Sequence, residues 1–334
     1  MKPRIGYWAP LEGFRSPAQL IDLAARAEKV GFELVAVSDH FHPWTHTNAH
    51  SFFPWIWLSS FLERTSTAAA GTACTTPTMR YHPAIVAQAF ASMASMYPGR
   101  VFLSVGTGER LNEYPVGFSW PRFRTRREML EEAIAVIREL WTGRFVDFEG
   151  KYYTLRGAKL YDIPQQPPPL IVAASGQKMC RVAGRLGDGI LTVSSIPHFK
   201  STILPNLAKG AREAGKDPDS LIKMVEFKVS FDEDYDKALD SCRFWKTTGI
   251  HGHIEMSSDP RKLEEYASRT VTDDRIKELW FVTTDMDSIL TRLQAYIDAG
   301  YTWIVVHSSS PDEETFIERF GEEVLPKLSE DLQE

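Results

Sequence analysis

Short apolar, β-branched runs alternate along this chain with stretches whose apolar residues recur every three or four positions. Such alternation is the pattern of βαβ units and a parallel sheet. Residues 5–10 predict strand one. Ser16-Pro17-Ala18 opens a helix with a hydroxyl cap and proline at its first position, and Leu20, Leu23, Ala24 and Ala27 keep helical spacing until Gly31 stops it. Strand two is expected over 34–38, a helix over 52–62, strand three over 68–75, a helix over 83–96 and strand four over 101–105. After a helix over 125–141 the rhythm breaks, and the aromatics of 145–153 alternate around Glu149-Gly150 as in a small hairpin. Strands five to eight are expected over 170–174, 190–193, 224–231 and 303–307, while 247–275 is polar and weakly periodic, as in an insertion or lid. Eight such units predict a single (β/α)8 TIM barrel spanning 1–334, with insertions at about 143–168 and 247–278.

Composition narrows the function. The chain has 334 residues, 43% hydrophobic and 25% charged, ordinary values for a globular protein with a sizeable core. A formal net charge of -6 without a basic cluster argues against nucleic acid, which needs Lys and Arg to neutralise phosphates. Cys74, Cys180 and Cys242 are odd in number and widely spaced, which fits a reducing cytoplasm better than a disulfide framework. Neither a secretion signal nor a run of about 18 apolar residues is evident, so a cytoplasmic protein off the membrane is expected.

The densest chemistry is Val37-Ser38-Asp39-His40-Phe41-His42-Pro43-Trp44, at the carboxyl end of strand two, where barrels of this class keep their active sites. His40, His42, His46 and His50 invite a metal reading. Strands five and six, however, end in Ala173-Ala174-Ser175 and Thr192-Val193-Ser194, which supply no further ligands, so no metal is expected. His40 is then the pocket residue, and His42, His46 and His50 belong to loop or interface packing. Gly106-Thr107-Gly108-Glu109 with Asn112 forms a strand-end turn whose small residues admit a flat or anionic ligand beside a carboxylate, although a tight βα turn uses the same glycines. Ala174-Ser175-Gly176-Gln177 repeats the design before a helix N-terminus suited to phosphate. Two such turns favour a phosphate-bearing cofactor.

Four stretches in order, 37–44, 76–84, 97–109 and 183–189, resemble the luciferase-like enzymes that use the 5-deazaflavin coenzyme F420, above all the F420-dependent glucose-6-phosphate and alcohol dehydrogenases. The resemblance runs almost end to end. It implies a bacterial luciferase-like barrel, a homodimer, and a cis peptide at Ala73-Cys74 in a bulge beneath the deazaflavin. It places Asp39, Thr76, Thr107, Gly108 and Asn112 near the coenzyme and its tail, and Ala174, Ser175, Gly176 and Gln177 near its phosphate. His40, Trp44 and Glu109 fall on the catalytic positions. Chemistry agrees, since oxidising an alcohol needs a base for the hydroxyl proton and imidazole titrates near neutrality. Glu109 is expected to protonate the reduced ring at N1, and Trp44 to wall the site or hold the substrate oxygen.

The sugar-phosphate enzymes hold their phosphate with a Thr, two Lys and an Arg, where this chain aligns Val193, Ile196, Ile254 and Leu279. Without such partners a phosphate dianion loses several charge-assisted hydrogen bonds, each worth about 1.5 to 3 kcal/mol. Val193, Ser194, Ser195, Ile196, Ile254 and Leu279 are therefore expected to line a pocket for an alcohol or an unphosphorylated hydroxyl substrate. His198, Lys200, Lys228, His251 and His253 remain available to rebuild an anion site, which keeps a sugar-phosphate dehydrogenase open as the alternative. Rival readings are an FMN-dependent luciferase-like monooxygenase and a non-catalytic deazaflavin-binding protein.

Overall fold

The computed structural model describes residues 3–250, 252 and 257–331. Its strands are β1 Arg4–Ala9, β2 Leu34–Val37, β3 Ala69–Thr75, β4 Val101–Val105, β5 Val146–Glu149, β6 Thr154–Ala158, β7 Leu170–Ala173, β8 Gly189–Thr192, β9 Ile222–Phe231, β10 Phe281–Thr283 and β11 Trp303–Ser308. Eight of them, β1 to β4, β7 to β9 and β11, are the predicted parallel strands. Helices separate them, and the fold is the predicted (β/α)8 barrel. Packing divides the chain into two compact units, Met1–Ala68 with Met224–Glu334, and Ala69–Lys223.

In the first unit the parallel order is β10-β9-β11-β1-β2. Gly6 of β1 is required by close approach, because a Cβ there would lie 2.8 Å from the Leu34 Cβ. The helix Pro17–Val30 forms as its sequence signals demand. Ser16 and Gln19 make a reciprocal capping box, Leu20, Leu23, Ala24 and Ala27 are buried, and Gly31 ends the helix in the left-handed region at φ 114°. The polar segment after residue 247 has regular structure among its described residues. It holds two helices, Pro260–Thr270 and Asp273–Leu279, capped by Asp259 and Thr272, and then β10, which pairs with the far end of β9. Only Pro260, Leu263, Ala267 and Ile276 face inward in these helices, too few for a strong periodic signal.

In the second unit β3, β4, β7 and β8 run parallel in that order, and β5 and β6 form the predicted antiparallel hairpin. The β3–β4 register shifts between Thr72 and Thr75, and the Ala73-Cys74 peptide within the shift is cis. Among the described residues no helix is long and apolar enough to cross a membrane.

Candidate active site

At the carboxyl end of β2 the chain leaves the sheet with Ser38 and Asp39 buried and His40 half-buried. The Ser38 hydroxyl donates to the Glu12 carboxylate, itself buried in the loop after β1. His40 Nδ1 lies 3.2 Å from the His42 carbonyl oxygen. A carbonyl only accepts, so Nδ1 is the donor here and Nε2 is the nitrogen through which the neutral ring would act as a base. The Trp44 ring meets the imidazole edge to face at 5.3 Å, and Trp44 is buried, so it limits the ring's swing. His42 donates from Nδ1 to the Ser258 carbonyl at 3.1 Å, His46 is exposed, and the His50 amide bonds the Gly13 carbonyl. Among the described residues no three His, Cys, Asp or Glu side chains gather as a metal would require.

The same unit holds a polar cluster of which sequence reasoning named Lys228 and missed His307 and Glu226. His307 on β11 bonds Glu226 of β9 at 2.6 Å, and Lys228 stands 3.8 Å from the same carboxylate. Trp8 stacks on the imidazole at 5.6 Å, while Trp245 and Trp280 meet it edge-on at 5.0 and 4.9 Å. Burial raises the pKa of Glu226, but Lys228 and His307 outweigh it and hold the carboxyl below its ordinary value. Two charged residues spaced by two in an apolar strand share one face, which was the signal available.

In the second unit the small residues after β3 and β4 interlock. The Gly106 amide bonds the Thr75 carbonyl at 3.0 Å. A Cβ at Gly106 would lie 2.6 Å from Cys74 Sγ, and one at Gly108, where φ is +83°, would lie 2.8 Å from Thr76 Cγ2. Glycine is needed at both positions, at the second also for its left-handed backbone. Thr107 and Glu109 follow half-buried, and the buried Asn112 donates from Nδ2 to Glu109 Oε2 at 3.1 Å, orienting the carboxylate. Glu113 lies fully buried, accepting from the Arg80 amide at 3.0 Å.

After β7, Ala174 is half-buried, while Ser175, Gly176 and Gln177 are exposed. The helix Gln177–Leu186 starts at Gly176 with no side-chain cap and no acid in its first turn, and a Cβ at Gly176 would touch nothing. Open amides at such a terminus suit an anion. His198 donates from Nε2 to the Ser175 carbonyl at 2.9 Å, fixing the turn. After β8, Val193 is exposed, Ser194 bonds Thr192 at 3.0 Å, Ser195 is exposed, and Ile196 is half-buried, as is Leu279 in the first unit. Ile254 lies outside the described residues, as do His251 and His253.

Parallel strands whose carboxyl ends carry an imidazole, carboxylates and small-residue turns define a (β/α)8 barrel enzyme. The luciferase-like monooxygenase family model matches residues 4–302, and the chain belongs to that family. It is 41% identical over 330 residues to the F420-dependent glucose-6-phosphate dehydrogenase of Rhodococcus erythropolis (strain PR4 / NBRC 100887), covering 97% of each chain. Its counterpart in Mycolicibacterium gilvum (strain PYR-GCK) is 39% identical over 329 residues, 97% of this chain and 98% of the relative. The chain also superposes on an F420-dependent secondary alcohol dehydrogenase in complex with an F420-acetone adduct, with TM-score 0.94, 40% identity and coverage of 98% and 99%. A coenzyme F420-dependent tetrahydromethanopterin reductase from Methanopyrus kandleri, at TM-score 0.78 and 23% identity over 98% and 100% of the two chains, shares the fold.

Proposed function

We propose that this chain is an F420-dependent dehydrogenase that oxidises a hydroxyl-bearing carbon of an alcohol or an unphosphorylated hydroxyl substrate. The observation that carries the reading is the placement of His40 at a strand end, with Nδ1 3.2 Å from the His42 carbonyl oxygen and the imidazole 5.3 Å from the Trp44 ring. Relatives at about 40% identity act with F420.

The residues present fit the coenzyme. The uncapped helix start at Gly176, with Ala174, Ser175 and Gln177, would hold its phosphate, and the turn through Thr107 and Gly108, with Asp39, Ala73, Cys74, Thr76 and Asn112, would hold its ring and tail. Bound F420 supplies the two-electron acceptor. His40 takes the hydroxyl proton at Nε2, and Trp44 shields the reacting carbon from water and offers an N–H to its oxygen. Glu109, oriented by Asn112, is assigned as the group that passes a proton to the coenzyme ring. Val193, Ser194, Ser195, Ile196 and Leu279 are assigned to the substrate side, where apolar groups disfavour a phosphate dianion. We place the enzyme in a reducing cytoplasm as a homodimer, the former supported by three free thiols.

The names of the relatives favour a second reading, a glucose-6-phosphate dehydrogenase with a rebuilt anion site. Loss of the visible absorbance of F420 on adding 2-propanol, glucose or glucose-6-phosphate separately ranks the readings. Bleaching by glucose-6-phosphate alone transfers the assignment to the second, and bleaching by none of the three removes both. FMN binding with oxygen consumption would instead mark a monooxygenase.

A further inference from the structure

The segment that carries His40 and Trp44 leaves the sheet at Val37 and has no regular structure until the helix Pro54–Arg64, so no ladder pairs its backbone groups. Side-chain hydrogen bonds tie it down instead. Ser51 Oγ lies 2.9 Å from the carbonyl oxygens of both His40 and Phe41, which share its one hydrogen, and Thr45 Oγ1 donates to the Phe244 carbonyl at 2.9 Å. Two residues past Trp44, the amides of His46 and Thr47 both donate to one oxygen, Glu264 Oε2, each at 2.9 Å. Glu264 sits on the helix Pro260–Thr270, which is anchored by buried Pro260, Leu263 and Ala267. Close by, His42 bonds the carbonyl of Ser258.

We infer that Glu264 is a positioning residue for the dehydrogenase reaction, clamping the loop so that Trp44 and the His40 imidazole stay aligned. The inference rests on the function proposed above. Two adjacent N–H groups on one carboxylate oxygen make charge-assisted bonds, stronger than neutral ones. The clamp joins an element outside the parallel strands to backbone only two residues from Trp44. A shift of about 1 Å in catalytic geometry costs up to about a hundredfold in rate.

Glu264→Ala and Glu264→Gln test the clamp in the full-length protein with F420 and 2-propanol. The Ala variant is expected to lose about ten- to a hundredfold in kcat, with KM for 2-propanol and Kd for F420 within about threefold of wild type. The Gln variant, which keeps an acceptor oxygen, should recover most of kcat. Deuterium at C2 of 2-propanol should slow the Ala variant at least as much as wild type, placing the loss on the chemical step. Unchanged kcat, or a loss matched by weakened F420 binding, overturns the inference. If wild type bleaches F420 with no alcohol, the proposed function fails by itself, and amide exchange across residues 44–47 then decides on Glu264. Faster exchange in Glu264→Ala upholds the clamp, and unchanged exchange overturns it.

Discussion

Adding one methyl group at Gly106 tests the packing that shapes the candidate coenzyme turn. An alanine Cβ there would stand 2.6 Å from Cys74 Sγ, about 1 Å inside an ordinary contact, while the Cys74 Cβ lies at 3.9 Å. The thiol alone is the obstacle. Forcing such a group into a packed site costs about 1 to 3 kcal/mol. Unfolding entropy of about 2.1 cal/mol/K per residue over 334 residues gives about 0.7 kcal/mol/K, so Gly106→Ala should lower Tm by about 1.5 to 4 °C. Replacing Cys74 by Ala removes the sulfur and leaves two ordinary contacts, to the Cβ of residue 74 at 3.9 Å and to the Ala173 Cβ at 3.7 Å, so Gly106→Ala should be nearly neutral in the Cys74→Ala background. Thermal unfolding of the four proteins in a double-mutant cycle measures the coupling, expected at about 1 kcal/mol or more. F420 titration of the same set reports whether the turn shifts. If Gly106→Ala costs the same with and without the thiol, the steric argument is wrong and the glycine answers to something else.

Three further outcomes are expected. His40→Ala should lose at least about a hundredfold in kcat with F420 affinity within threefold, measured by bleaching and titration, and an active variant would remove it as base. Glu226 is held below its ordinary pKa in the fold despite burial, so its contribution to stability is full above the unfolded value near 4.5 and is lost as pH falls through the lower folded value. Glu226→Gln should therefore flatten the acid limb of stability measured from about pH 7 to 3, and an unaltered limb would refute the assignment. Leu279→Arg should raise kcat/KM for glucose-6-phosphate relative to that for 2-propanol by about tenfold or more, since one charge-assisted bond contributes about 1.5 to 3 kcal/mol. Equal gains for both substrates would detach Leu279 from phosphate rejection.

The parallel strands were legible because burial on both faces leaves nearly continuous apolar runs, such as Leu34–Val37 and Leu170–Ala173, which no amphipathic helix mimics. Helix ends were legible where caps are local chemistry, as at Ser16, Gln19 and Gly31. The caps Asp259 and Thr272 carried the same signal for the helices after residue 257, but few buried positions accompanied them, and periodicity alone passed them over. Within the candidate site, sequence marks which groups are present and not which atom faces which. His40 was readable as chemistry, yet its protonated Nδ1 depends on a carbonyl two residues on, in a loop without a repeating pattern. The Ser38–Glu12, His307–Glu226 and Glu264 contacts join residues 26, 81 and more than 200 apart, and spacing rules tied to a helix or strand period do not reach across such separations. A carboxylate's effect depends on its partner. Glu226 faces an imidazole and an ammonium, while Glu264 faces two backbone amides, so removing the first changes pH dependence and removing the second changes geometry.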